Sequence, residues 1–501
     1  MAGRLARQSG VYALAGLAGK VSGLVLTAFY VNTAYLSVEG FGVFGLLRAA
    51  MMTALLVAGA GLPLGLLRFA SARELSAADR ARVPSTALVL AAVAGGLAAL
   101  AIGLAAPWLA GGLGLDGLGA GAGGPGAAAE SVRWLAVYVG FKTVADVSYT
   151  WLRHREAVGR YVALSAAESL VLLLAVLAFL VGAREGLVGV MKGYALSAAV
   201  VAVFATVALV RAVPWRPSRA LVGPLLAFGA PLMVSGLATH LLYFGDRFVI
   251  VRLAGFEANA TYELAAQFGA LVFTFVVQAV TMSFTVAGMK VQGEAARGLY
   301  RSAFRHVAAV AGGAALGIGL FASAAAGVVA TDPAYLALDV PAFLVAAGFA
   351  FAGLHAVAVT ALYAAGRTRA VAVAVGAAAL LNLGLCAALV PVLGIAGAAL
   401  ATLAAYAALA VWTGRAAEPL VGAPMPWAAV VGVCVAAGAL WALGQQVPAD
   451  TAAGLALRAG VVAAYPAALG ALGVYGRAEI AAALAAALAA VRARVGPRGA
   501  R

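Results

Sequence analysis

Charged residues, cysteines and histidines are all scarce in this chain. Asp, Glu, Lys and Arg account for 10% of the 501 residues, whereas 65% are hydrophobic and the mean hydropathy is +1.03. This balance excludes an ordinary soluble domain. The only two cysteines, Cys386 and Cys434, fall in apolar stretches, and the four histidines are scattered. The sequence therefore supports neither a disulfide framework nor a metal site, and we expect no cofactor.

Long apolar stretches occupy most of the chain. Each is roughly 17 to 28 residues long, which is enough for a helix to cross a bilayer. We therefore predict an all-α, polytopic membrane protein with about 14 transmembrane helices, at about 10–33, 41–66, 84–108, 133–151, 161–181, 187–210, 221–243, 259–286, 306–330, 341–365, 370–390, 394–414, 427–444 and 456–475.

Basic residues fall almost entirely into every second gap between these stretches. If the N-terminus is cytoplasmic, 24 of the 33 Lys and Arg residues lie in cytoplasmic segments, and five lie at outer ends of spans. This asymmetry predicts a protein of the cytoplasmic membrane with both termini inside the cell. The net charge of +15 is carried by short loops that face anionic headgroups, so we expect membrane lipids, and not nucleic acid, as partners.

Little chain is left outside the membrane to carry chemistry. The longest external segment, about 109–132, is rich in Gly and Ala and carries only Asp116 and Glu130 as charges. A membrane enzyme such as a glycan polymerase would need catalytic acids, Arg or His on a sizeable outer loop. We therefore predict that the protein is not an enzyme and has no catalytic residues.

Two internal sequence similarities divide the chain into repeats. The stretch Leu36–Leu46 recurs loosely as Leu253–Leu264, and the turn Gly186-Leu187-Val188-Gly189 recurs as Gly394-Ile395-Ala396-Gly397, at offsets of a little over 200 residues. We predict two parallel six-helix repeats, residues 1–215 and 216–418, then two additional helices in 419–476 and a basic cytoplasmic tail, 477–501. This arrangement suits a two-lobed alternating-access transporter with its site between the lobes.

The first two predicted helices carry a family resemblance. It rests on Lys20 to Tyr30, on Tyr35 to Gly42, and on Gly61-Leu62-Pro63 leading to Leu67-Arg68-Phe69. These segments resemble Wzx-type polysaccharide flippases of the multidrug/oligosaccharidyl-lipid/polysaccharide (MOP) exporter superfamily. The resemblance extends over the 12-helix repeat, while the Ala-rich C-terminal fifth matches weakly.

The resemblance implies a MATE-like two-lobed bundle and a function. That function is to flip a polyprenyl-diphosphate-linked oligosaccharide from the inner to the outer leaflet, for surface polysaccharide biosynthesis such as that of lipopolysaccharide. From the same superfamily, a cation-coupled multidrug or metabolite antiporter is the alternative.

Charges inside the predicted helices are the best markers of a site, because they are costly in a bilayer. The cations Lys20, Arg48, Lys142 and Lys192 are candidates for binding an anionic substrate, since Arg presents a planar fork to phosphate and Lys a mobile point charge. Each of these cations could instead snorkel to the interface or pair with a carboxylate. We expect four cations near three deep carboxylates to favour an anion over a cationic drug.

Polar groups on two further helices complete the predicted site. On helix 8, Glu263, Gln267 and Gln278 belong to a stripe at helical spacing that could line a water-filled lumen and bond sugar hydroxyls. Asp146 and Glu168 are candidates for coupling to H⁺ or Na⁺, although Lys142 could neutralise either one. We expect the protein to work as a monomer.

Overall fold

The computed structural model of the protein describes residues 19, 22–115, 124–476 and 479, and every regular element in them is helical. The predicted all-α class is therefore confirmed. The side chains of residues 124, 125, 282, 283 and 286 are outside this description.

The described residues form nine helices between positions 22 and 272. Short polar residues set several of the starts: the Ser37 hydroxyl accepts a hydrogen bond from the Gly40 amide, and the Ser76 hydroxyl accepts one from the Asp79 amide. The helices are α1 (22–30), α2 (Val38–Gly59), α3 (Leu62–Ala70), α4 (Ala77–Leu104), α5 (Ala106–Gly112), α6 (Gly124–His154), α7 (Val158–Val176), α8 (Gly186–Val210) and α9 (Val222–Val272).

Seven more helices follow. A π-helical turn, Phe273–Val277, connects α9 to the next helix, and another, Leu177–Gly182, extends α7. The later helices are α10 (Gln278–Gly288), α11 (Gly293–Val329), α12 (Asp339–Ala364), α13 (Thr368–Val421), α14 (Trp427–Gln445), α15 (Ala452–Ala463) and α16 (Tyr465–Ala471).

Ten helical stretches in the described residues are long and apolar enough to cross a membrane. The protein is thus a multi-pass membrane protein. Two of the ten, Arg219–Thr281 and Thr368–Val421, contain a non-helical glycine, Gly255 (φ 86°, ψ 179°) and Gly394 (φ 57°, ψ −140°).

The chain reverses at both glycines. Side chains 16 residues apart meet across Gly255, and the Asn382 amide lies 3.3 Å from the Thr402 hydroxyl across Gly394. Each stretch is therefore a hairpin of two helices, because residues so far apart cannot meet on one straight helix. The predicted span 133–151 lies inside α6, which is longer but carries charges at mid-length, and most of the predicted first span lies outside the described residues. The count of fourteen stays a prediction.

The chain forms two compact units. The first is Met1–Glu263 with Gly327–Tyr335, and the second is Leu264–Ala326 with Leu336–Arg501. In the first unit, an apolar core that includes Leu62, Val83, Trp151 and Leu225 joins α3, α4, α6 and α9. In the second, α11, α12, α13 and α14 share a core that includes Phe304, Val357, Ala410 and Val433. The predicted division into lobes at residue 215 stays a prediction.

The two internal sequence similarities correspond to local features of the structure. In the first unit the two copies of the 36–46 motif touch each other, because a Cβ on Gly42 would overlap the Phe256 carbonyl oxygen. In the second similarity, Gly186 and Gly394 both have φ near 57° (56° and 57°), a backbone conformation that suits glycine. Three residues later, Gly189 and Gly397 each lie against the backbone of the preceding helix.

Candidate functional site

A group of ionised side chains lies between α2 and the α9 hairpin in the first unit. Arg48 on α2 forms an ion pair with Glu263, and the Nε of Arg247 donates to the other oxygen of Glu263 at 3.2 Å. Arg247 also donates to Asp246 at 2.6 Å, and Asp246 accepts from the Tyr262 hydroxyl. We call these five residues the arginine cluster.

Backbone geometry brings the arginine cluster together. The reversal at Gly255 sets Asp246 and Arg247 opposite Tyr262 and Glu263. On α2, Gly45 leaves room for Glu263, whose Cγ lies 3.1 Å from where a Cβ of residue 45 would be. Arg48 is one helical turn further on, which places its guanidinium at Glu263.

Burial separates the four ionised groups into one accessible and three inaccessible members. The side chain of Arg48 is 24% exposed, whereas those of Arg247, Asp246 and Glu263 are 4%, 2% and 0% exposed. The charges of the four cancel, which a buried group in a low-dielectric region needs. Arg48 is therefore the member of the cluster that a ligand can reach.

Aromatic rings surround the Arg48 guanidinium. Its Cζ lies 5.8 Å from the centre of the Phe244 ring and 6.0 Å from that of Phe44. Contacts between rings then continue from Phe44 to Tyr194 (5.8 Å) and from Tyr194 to Tyr138 on α6 (5.9 Å). The two rings attract the guanidinium by cation–π interaction and help to fix its position.

A second charged group, the carboxylate cluster, joins α6 to α7 in the first unit. The Nζ of Lys142 lies 2.7 Å from Glu168 and 3.3 Å from Asp146, and the Tyr149 hydroxyl donates to Glu168 at 2.9 Å. Two carboxylates share one ammonium, so the cluster carries a net charge of −1 when all three groups are ionised. Lys142, Asp146 and Glu168 are each partly exposed.

Lys192 lies near the start of α8 and pairs with acids. Its Nζ is 2.8 Å from Glu185 and 3.7 Å from Glu130, and it lies 5.9 Å from the centre of the Trp134 ring. The sequence analysis left open that each cation pairs with a carboxylate. Arg48, Lys142 and Lys192 all do so in this conformation.

The other predicted site residues are distributed elsewhere. Lys20 lies outside the described residues. Gln267 and Gln278 belong to the second unit, and the π-helical turn at Phe273–Val277 falls between them. Because that turn adds a residue to the helical repeat, it rotates the following helix by about 100°. The stripe predicted on helix 8 therefore does not run along one continuous side.

The sequence of the chain matches one protein family over residues 5–284, more than half its length. The chain belongs to the polysaccharide biosynthesis protein family. The predicted relationship to MOP exporters is confirmed, and the family match covers the arginine cluster and the carboxylate cluster. No curated protein matches the chain.

Solved structures that resemble this family member are transporters and flippases. A structure of the lipid II flippase MurJ in an inward closed conformation is 12% identical with a TM-score of 0.73, over 93% of this chain and 99% of that one. An inward-facing multidrug resistance MATE family transporter of the MOP superfamily is 19% identical with a TM-score of 0.66, over 81% and 94%. A MOP superfamily transporter from Pyrococcus furiosus is 15% identical with a TM-score of 0.57, over 83% and 95%. At these identities the likeness establishes the fold.

Sequence reasoning missed the partners of this family member's buried charges. Asp246 and Arg247 precede Tyr262 and Glu263 by 16 residues with a glycine between them, a spacing that could have indicated a hairpin. Arg458 is likewise buried and donates to Asp339 at 2.9 Å, a partner 119 residues away in sequence. Among the residues that the structure describes, no three His, Cys, Asp or Glu side chains form a metal-binding group.

Proposed function

We propose that this protein flips a polyprenyl-diphosphate-linked oligosaccharide from the inner to the outer leaflet of the cytoplasmic membrane, for the assembly of a cell-surface polysaccharide. It works as a monomer by alternating access, with both termini in the cytoplasm. The protein moves its substrate and makes or breaks no covalent bond.

The observation that carries the proposal is Arg48, a partly exposed guanidinium held inside an apolar helix of a polysaccharide biosynthesis family member. An arginine at such a position is costly and usually serves a ligand or a partner. Its fork matches the oxygens of a diphosphate, which it can contact through two parallel hydrogen bonds. The fold shared with the lipid II flippase MurJ agrees with a lipid-linked substrate.

The carboxylate cluster has a different task in this proposal. Asp146 and Glu168 exchange H⁺ or Na⁺ with the medium, because they share a single ammonium and so hold an excess negative charge beside partly exposed surface. Lys142 sets the affinity of the pair for the cation. Sugar hydroxyls contact polar side chains such as Gln267 and Gln278, and Lys20 and Lys192 assist the diphosphate.

The second candidate function is a cation-coupled multidrug or metabolite antiporter. The carboxylate cluster favours it, since a net negative site suits a cationic drug as well as a coupling ion. The likeness in fold to the MATE family transporter agrees with this reading.

Exchange between leaflets distinguishes the two functions. The protein is reconstituted in liposomes with a labelled polyprenyl-diphosphate oligosaccharide, and an external enzyme reports the substrate that reaches the outer leaflet, with and without an ion gradient. We expect protein-dependent exposure that falls at least about tenfold in Arg48→Ala, since loss of a charge-assisted contact costs about 1.5–3 kcal/mol. Arg68→Ala, an exposed arginine at the end of α3, is the control. Gradient-driven dye efflux without lipid exposure would establish the antiporter instead.

A further inference from the structure

The arginine cluster contains an anion of its own at the position proposed for the substrate. Glu263 uses one carboxylate oxygen for Arg48 and the other for Arg247. A carboxylate shared between two guanidinium groups is chemically close to a phosphate held in the same way. We propose that Glu263 is a self-ligand of Arg48, which the substrate diphosphate displaces and which keeps singly charged phospholipid headgroups out. This inference rests on the proposed function and names the residue that keeps weakly bound anions from occupying its site.

Displacement at Arg48 leaves the rest of the cluster intact. If Arg48 turns toward a ligand, Glu263 keeps its 3.2 Å bond from Arg247, and Arg247 keeps its 2.6 Å bond to Asp246. Breaking a buried ion pair is expensive chiefly when it strands an uncompensated charge. Asp246 and Glu263 then share Arg247. The three buried groups carry a net charge of −1 without Arg48, so the contacts of Arg48 with the diphosphate must outweigh the loss of this compensation.

Arg48 also has unused capacity for hydrogen bonds. Its Nε is buried without a hydrogen-bond partner in the part of the chain that the structure describes. Glu263 therefore occupies the fork incompletely, through Nη2. A diphosphate has more acceptor oxygens than a carboxylate and can satisfy the donors that Glu263 leaves unused.

A self-ligand at Arg48 would keep weakly bound anions from occupying the position of the substrate diphosphate. The inner leaflet is rich in lipids with one negative charge on a phosphodiester, and a bare guanidinium inside an apolar helix would bind any of them. Specificity often depends on an element that opposes the wrong ligand. A headgroup with one charge gains little by replacing Glu263, whereas a diphosphate brings more charge and more oxygens and wins the exchange.

The self-ligand lowers the apparent affinity for every anion, because an anion can bind only the fraction of molecules in which Arg48 is free. Replacing Glu263 by Gln removes its charge and retains an amide oxygen that can accept from Arg247. The affinity for both classes of anion should then rise by about the same factor, because both bind only when Arg48 is free. We expect each affinity to rise at least about tenfold, which would let singly charged headgroups occupy the position.

Binding to the purified full chain tests this inference. Labelled farnesyl diphosphate is the probe, and short-chain phosphatidylglycerol is the competitor. Glu257→Gln is the matched control, because Glu257 lies on the same arm of the hairpin, carries the same charge and is exposed. A Glu263→Gln variant with the wild-type affinity for both anions would overturn the inference.

Three further variants keep the test decisive. Glu263→Asp shortens the side chain by one methylene and retains the charge, so it should raise both affinities by a smaller factor; it replaces Glu263→Gln if that variant does not fold. Arg48→Ala should lose diphosphate binding, and the double variant Arg48→Ala/Glu263→Gln should show no gain. If wild type and Arg48→Ala bind the probe equally, the proposed function fails at this site, whereas failure at Glu263 alone leaves that function standing.

Discussion

At the scale of single residues, four withdrawn cations in the described part of this protein lie beside carboxylates. Arg48, Lys142, Lys192 and Arg458 each lie within 4 Å of a carboxylate, and all four are partly or fully withdrawn from solvent. Such groups cost little while they are complete and much when one partner is removed. The response to substitution therefore depends on which partner is lost.

The pair Arg458–Asp339 in the second unit gives a prediction for stability. Arg458 on α15 donates to Asp339 on α12 at 2.9 Å and to the Val447 carbonyl at 3.0 Å. Asp339→Ala leaves the buried guanidinium without its counter-charge and should lower the free energy of unfolding by about 3–5 kcal/mol. Chemical unfolding in detergent measures this loss. The exposed Asp450→Ala serves as control, and equal stability of the two variants would contradict the prediction.

The carboxylate cluster gives a prediction for coupling. Glu168→Gln removes the charge that accepts from Lys142 and Tyr149, so the cluster loses its excess negative charge and its affinity for a coupling cation. We expect lipid exchange in liposomes to lose its response to pH and cation gradients while some ungated exchange continues. A variant that keeps the wild-type dependence on these gradients would contradict a coupling role for Glu168.

Sequence reasoning could identify these ionisable residues but not how they pair. Arg48, Lys142, Glu168 and Glu263 stand out because charge is rare in apolar helices. The contact between Lys142 and Asp146 follows from helical spacing, and it is present at 3.3 Å. Arg48 and Glu263 are 215 residues apart, and only the approach of α2 to the α9 hairpin brings them together.

At the scale of helices, some glycines pack closely against a neighbouring backbone and others face open space. A Cβ on Gly397 would lie 2.5 Å from the Leu389 carbonyl oxygen, whereas nothing lies within 4 Å of where a Cβ on Gly384 would be. Both glycines are on α13. The first lies where the two arms of the hairpin meet, and the second faces open space.

Paired substitutions on α13 test this difference. Gly397→Ala should push the hairpin arms apart and lower the free energy of unfolding by about 1–3 kcal/mol. Gly384→Ala should be neutral or should stabilise by up to about 1 kcal/mol, since Ala is the better helix former. Chemical unfolding of both variants measures the difference, and equal effects would show that the close approach is unimportant.

Helix boundaries show where periodic patterns succeed and where they fail. Apolar length indicated most of the observed helices, and the Gly-hydrophobe-x-Gly turns marked the starts of arms after Gly186 and Gly394. The π-helical turn at Phe273–Val277 was not visible, because it changes the number of residues in one turn without changing composition. The polar stripe predicted at constant helical spacing on helix 8 therefore does not continue on the same side of the helix beyond that turn.

At the scale of the whole molecule, the distribution of basic residues predicts an orientation. In a background without Cys386 and Cys434, Arg216→Cys lies in a predicted cytoplasmic segment and Asp450→Cys in a predicted external one, and both positions are exposed. A membrane-impermeant maleimide applied to intact cells should label the cysteine at 450 and not the one at 216. Labelling of both sites after lysis is the control, and the reverse pattern in intact cells would contradict the predicted topology.

The ion pair between α12 and α15 also sets an order of events during synthesis. Asp339 and Arg458 are separated by 119 residues, which a ribosome adds in about 6–24 s at the usual rates of elongation. Asp339 is therefore synthesised well before its partner exists. The second unit can be completed only after α15 has been translated, so a late helix supplies the counter-charge for a carboxylate that has waited for it since α12 was made.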